Sequence, residues 1–187
     1  MNPLEALDQG AHPWFPLLHR PWLDRLMIAT TTLGDGGVLA ALVALFAAWL
    51  LLRRRARSAL ILSGVALAAL ALERGVKWLV QRPRPEAARE LMPLPSGWSY
   101  PSGHALCATA VYVTLALLLT APPAPRRYRL VALPAALLLA FLIGFSRLYL
   151  GVHYVSDVVG GWLAGLACAL VGLWLEERGR AGGQSVR

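Results

Sequence analysis

Five apolar stretches of roughly membrane-spanning length follow one another along this chain, parted by turns that carry arginine or proline. They run at about Leu33–Leu52, Ser58–Val80, Ala105–Ala121, Leu130–Phe145 and Val158–Leu175. The hydrocarbon core of a bilayer offers no water to satisfy backbone groups, so such stretches must be helical and must pack as a bundle. The expected fold is therefore all-α, a polytopic transmembrane helical bundle. The third and fourth stretches are short for a span and need tilt or flanking residues to cross. Ahead of the first lies His12–Thr32, where Trp14, Phe15, Trp22, Leu23, Leu26 and Met27 mix with His19, Arg20, Asp24 and Arg25. That mixture predicts an interfacial or partly inserted helix, giving five spans or six in total. Acidic and proline residues precede any apolar run, which does not resemble a cleaved signal peptide. Residues 1–180 read as one integral-membrane domain and 181–187 as a flexible tail.

Composition excludes the main rival classes. With 57% hydrophobic and 15% charged residues among 187, a water-soluble surface would be hard to build. Cys107 and Cys168 both lie inside apolar runs, so they read as packing residues rather than a disulfide or zinc site. The net charge of +8 falls largely in short clusters beside apolar runs, which argues against nucleic acid as a partner. Arg53, Arg54, Arg55 and Arg57, then Arg126, Arg127 and Arg129, then Arg178, Arg180 and Arg187 occupy alternate turns and the tail. The positive-inside rule puts these in the cytoplasm and the remaining turns outside.

Those outer turns hold the residues that carry chemistry. His153 and Asp157 are four apart and share a face at the start of the last helix, so the carboxylate can hold one imidazole nitrogen. The other nitrogen is then unprotonated, as a nucleophile or base requires. Taken alone, the pair also fits an interfacial histidine with an acidic helix start favoured by the dipole. Arg147, six positions before His153, suits either a fork on phosphate oxygens or an arginine snorkelling to the interface. Pro101-Ser102-Gly103-His104 opens the third stretch. Its free amides and dipole favour an anion, with Gly103 permitting close backbone approach; Ser102 is otherwise an N-cap. A histidine one step inside a span needs a polar partner, and His104 could protonate a leaving oxygen. Lys77, the single lysine, ends the second stretch with Arg84-Pro85 following it, and Glu73 four residues earlier can pair with it. Arg82-Pro83 offers a competing register, read as a support or surface residue. Asp157 and Glu73 read as the only acids inside the bundle, too few to hold a Mg²⁺ ion.

Taken together, these motifs resemble the type 2 phosphatidic acid phosphatase superfamily, in its bacterial membrane-type form, which shares its site with vanadium-dependent haloperoxidases. The pattern is Lys, six residues, Arg-Pro; then Pro-Ser-Gly-His; then Ser-Arg, five residues, His, three residues, Asp. Lys77, Arg84 and Pro85 fit the first part, Pro101 through His104 the second, and Ser146, Arg147, His153 and Asp157 the third. The N-terminal segment departs from the six clear spans common in bacterial members.

The resemblance implies a metal-independent hydrolase of a lipid phosphate or lipid pyrophosphate, of the undecaprenyl pyrophosphate, phosphatidylglycerophosphate or phosphatidate class. His153 would form a phosphohistidine, Asp157 orient it, and His104 protonate the leaving group and then activate water. Lys77, Arg84, Ser102, Gly103 and Arg147 would hold the phosphoryl oxygens, with no metal and no cofactor. The implied setting is the bacterial inner membrane, with the site on the extracytoplasmic side; oligomeric state is unread. Two alternatives stand beside this: a phosphatase of a soluble phosphate ester, and a non-catalytic lipid-binding or transport relative. Intact His104, His153 and Asp157 argue against the second. In the loop from Glu86 to Tyr100, residues Leu91, Met92, Leu94, Trp98 and Tyr100 either shape an opening for acyl or prenyl chains or rest on the bilayer.

Overall fold

The computed structural model describes residues 8, 12–85, 96–122 and 124–184. After a 3-10 segment over His12–Leu18 come helices α1 (Pro21–Thr32), α2 (Gly36–Leu52) and α3 (Ala56–Val80). They are followed by α4 (Gly103–Leu119), α5 (Arg126–Tyr149) and α6 (Val155–Gln184). The fold is all-helical among the described residues, as expected. Local sequence sets the breaks. Helix α3 stops at Gln81, which takes a left-handed turn at φ 49° before Pro83 and Pro85 prevent any continuation. Pro125 precedes α5 and leaves its first turn free to start.

Of the five expected spans, length and composition bear out three directly. Among the described residues, three helices are long and apolar enough to cross a membrane: Ala56–Val80, Arg126–Tyr149 and Val155–Arg180. A fourth arises if α1 and α2 count together as one span, bent by 50° at its break. Helix α4 has 17 residues, about 26 Å of helix, and is short for a span. It can be short because it faces protein rather than lipid: Ala105, Leu106, Ala108, Ala110, Val111, Val113 and Leu118 are all buried. By contrast α5, expected to be short, has 24 residues, because Arg126–Arg129 and Ser146–Tyr149 extend the apolar run as helix at both ends.

Helix α4 stands at the centre and packs most extensively on α6, then on α5 and α3. Two glycines make the first contact possible. A Cβ on Gly161 would lie 2.8 Å from the Ser102 carbonyl oxygen, and one on Gly165 would collide with that of Leu106. Four residues apart, they form a small-residue stripe that lets two apolar helices meet backbone to backbone, where dispersion and not water drives association. Meanwhile α1 lies across the end of α5, with Met27 packed on Tyr149, Leu150 and Val152. The C-terminal ends of α3 and α5 and the N-terminal ends of α4 and α6 thus converge at one end of the bundle.

Candidate active site

His153 sits in the short turn between α5 and α6, buried, with Asp157 one helical turn further on. Its Nδ1–H donates to Asp157 Oδ2 at 3.3 Å, and the Tyr154 amide donates to the same oxygen at 3.0 Å. Arg84 Nη1 lies 3.1 Å from the other ring nitrogen, Nε2. A guanidinium can only donate, so Nε2 must accept, and the tautomer follows: proton on Nδ1, lone pair on Nε2. Burial, helped by the charges of Arg84 and Arg147 and resisted by Asp157, pushes the imidazole down to about 3. The ring is therefore neutral throughout the physiological range, with a lone pair aimed at the guanidinium.

The cations around it are individually anchored. Arg84 is held by the carbonyls of Gly97 at 3.0 Å, Trp98 at 3.3 Å and Val152 at 3.0 Å. Arg147, buried at the end of α5, donates through Nη1 to Thr31 Oγ1 at 2.6 Å and feels the charges of Arg84 and Asp35. Lys77 pairs with Glu73 at 2.7 Å, as the spacing predicts. The two Arg-Pro registers are both used, for different ends: Arg84 meets His153, whereas Arg82 grips Asp157 Oδ1 at 2.8 Å from behind. Arg82 also donates to Ser156 Oγ at 2.6 Å and to Asp8 Oδ2 at 2.7 Å, and lies 4.0 Å over the Tyr154 ring. Asp8 in turn accepts from the Ser156 amide at 2.9 Å, so the N-terminal segment is fastened to the start of α6.

On the facing side, α4 begins at Gly103 with Ser102 as its N-cap residue. The Ser102 amide donates to the Asp157 carbonyl at 3.0 Å, tying the two helix starts together. Gly103 and His104, the first residues of α4, lack a carbonyl one turn back and leave their amides for an anion. Two buried polar atoms, Ser102 Oγ and Arg147 Nε, find no hydrogen-bond partner among the described residues. Buried polar groups are almost always paired, and a tetrahedral oxyanion is a ligand that satisfies a hydroxyl, a guanidinium and helix-start amides together. The arrangement thus suits a phosphoryl group lying between a neutral nucleophilic nitrogen and the imidazole of His104.

All eight residues singled out from the sequence meet at this end of the bundle, and the structure adds others. Asp35 was not foreseen. It bonds His104 Nε2 at 2.8 Å, so the reading of Asp157 and Glu73 as the only acids of the bundle is corrected. Glu176, buried at the opposite end, corrects it again. Thr31 and Asp8 were likewise missed. The only local signal was the cluster Gly34-Asp35-Gly36-Gly37, which reads as a helix boundary and not as chemistry. Of the loop expected to shape an opening, Leu91, Met92 and Leu94 lie outside the described residues, while Trp98 is exposed at the rim and Tyr100 packs on Gly160.

The model of the PAP2 superfamily matches residues 58–180. Phosphatidylglycerophosphatase B of Bacillus subtilis is 32% identical over 168 residues, covering 88% of this chain and 81% of the relative. An undecaprenyl-diphosphatase of Sulfolobus acidocaldarius is 38% identical over 89 residues, 48% of this chain and 39% of the relative. Among solved structures, the PAP2-type phosphatidylglycerolphosphate phosphatase of Bacillus subtilis superposes with a TM-score of 0.88 at 30% identity. That superposition covers 95% of this chain and 88% of the other.

Proposed function

Because this chain belongs to the PAP2 superfamily, we propose that it is a membrane phosphatase of a lipid phosphate or lipid pyrophosphate, acting through a phosphohistidine on His153. The observation that carries the reading is the neutral His153, with Asp157 on Nδ1 and the Nε2 lone pair facing Arg84. The Nε2 lone pair attacks phosphorus as the bond to the leaving oxygen breaks, and His104 gives that oxygen its proton. Water then attacks the phosphohistidine, passes a proton to His104, and phosphate leaves as the N–P bond breaks. Arg84, Arg147, Lys77, Ser102 Oγ and the Gly103 amide neutralise the oxygens throughout, a role that divalent ions play in other phosphatases.

Exposed Trp78 and Leu79, directly after Lys77, and exposed Trp98 rim the site with the side chains that favour a bilayer interface. A head group there can reach the site while its tail stays in lipid. We place the site on the extracytoplasmic face of a bacterial inner membrane. The support is the far end of the bundle, where Arg53, Arg54, Arg55, Arg57, Arg126, Arg127, Arg178 and Arg180 gather. We also propose that α2 and α4 cross the bilayer, within a single domain over 1–180 that ends in a short tail.

Release of phosphate by purified protein from undecaprenyl pyrophosphate, phosphatidylglycerophosphate and phosphatidate tests the function. Turnover of at least one is expected, lost in His153→Ala, inhibited by vanadate and insensitive to EDTA. Full activity in His153→Ala, or loss with EDTA restored by Mg²⁺, would remove the mechanism.

A further inference from the structure

The break between α1 and α2 brings a second carboxylate–imidazole pair into the site. Asp35 occupies the N-cap position of α2, where its side chain would ordinarily accept from an amide of the first turn, yet it makes no such bond. Its carboxylate instead accepts from His104 Nε2 at 2.8 Å. The turn is shaped for this contact. A Cβ on Gly34 would collide with Ile143 Cγ2 and lie 3.0 Å from His104 Cδ2, so glycine lets the turn sit close to both α5 and the ring. Tyr112 anchors the turn by donating to the Leu33 carbonyl at 2.9 Å, and Thr31, a helical turn earlier, holds Arg147.

Building on the phosphatase reading above, we propose that Asp35 is the positioning residue of His104. By accepting from Nε2 it directs Nδ1 toward the leaving oxygen and stabilises the imidazolium that gives up its proton in the first half of the reaction and re-forms in the second. The need is electrostatic as well as geometric. Lys77 of α3 and Arg147 of α5 both act on the His104 ring and disfavour a third positive charge, and Glu73 of α3 is itself engaged by Lys77. Asp35 supplies the opposing charge on the remaining side. In the first step the Nδ1 proton passes to the leaving oxygen as the P–O bond breaks. In the second, Nδ1 recovers a proton from the attacking water. The Nε2–H stays on Asp35 throughout.

The test separates this role from a structural one by leaving group. Value of kcat/KM reports events up to the departure of the first product, and an alkoxide needs a proton to depart whereas p-nitrophenolate does not. In Asp35→Asn and Asp35→Ser, both competent N-caps, kcat/KM for phosphatidate should fall about 100-fold, while that for p-nitrophenyl phosphate changes by less than about threefold. Unchanged turnover of phosphatidate, or an equal loss on both substrates, would overturn the proposal. Wild-type protein that releases phosphate from no substrate would instead overturn the phosphatase reading and leave a different signature, since no variant comparison would then show any loss.

Discussion

Arg84 donates to the one nitrogen that the proposed reaction needs free, so substrate must draw the guanidinium off Nε2 and onto a phosphoryl oxygen before attack. Because the guanidinium already lies within hydrogen-bond reach of Nε2, the exchange is a change of partner at one place, which favours a dianionic ligand over water. Behind His153, the grip of Arg82 on Asp157 holds the orienting carboxylate. Arg82→Ala leaves a buried carboxylate short of its counter-charge and should destabilise the fold by about 3 kcal/mol. Thermal unfolding measures this, and turnover should drop with it, whereas Arg74→Ala on the exposed face of α3 should change neither. His153 adds a pH dependence. Its folded value near 3 lies below the ordinary 6.5, so the unfolded chain binds the extra proton first and stability falls as pH drops from about 6.5 toward 3. His153→Asn should flatten that part of the curve, read as melting temperature against pH. The residues legible in the sequence were those whose partner lies within one turn or one motif: Asp157 for His153, Glu73 for Lys77. Asp35 and Asp8 were not, because their partners are 69 and 74 or more positions away and no local spacing records such a contact.

Apolar runs locate the helices but not their ends. The run Leu130–Phe145 becomes α5 over Arg126–Tyr149, since arginine matches leucine in helix propensity and the small cost of one serine is outweighed by packing. Runs also say nothing of which helix is inner. That assignment rests on glycines: Gly161 and Gly165 face the α4 backbone, while Gly64 on α3 has no atom within 4 Å of an added Cβ. The two classes should respond oppositely to alanine. Gly165→Ala forces α4 and α6 apart and should cost about 1–3 kcal/mol. Gly64→Ala meets open space and should be neutral or stabilise by up to about 1 kcal/mol through helix propensity. Unfolding of the two variants in the same detergent decides the matter. The bend between α1 and α2 is the other feature hidden from periodicity, because a boundary marked by Gly34 through Gly37 reads as a stop and gives no hint that the stop delivers Thr31 and Asp35 to a site.

The whole bundle is polar at both ends and fastened differently at each. At the end remote from the site, buried Glu176 accepts from Ser58 Oγ at 3.0 Å and from Arg180 at 3.1 Å, and Arg55 donates to the Leu118 carbonyl at 2.8 Å. If that end is cytoplasmic, a cysteine at Arg127 in a protein lacking Cys107 and Cys168 should react with an impermeant thiol reagent only after permeabilisation. One at Ser96 should react from outside. The reverse order would move the site to the other leaflet. At the site end, Asp8 clasps Arg82 and Ser156, so the first described residue and the start of the last helix meet across 148 positions of chain. Synthesis runs from one to the other, and no partial product holds both. A nascent chain that ends before the turn into α6 lacks His153 and Asp157, so the proposed chemistry should begin only once that helix has been made and inserted. The α4–α5 turn lies away from this closure, so two separately translated pieces, 1–122 and 123–187, retain every contact needed to find each other in the bilayer and should recover activity only when made together.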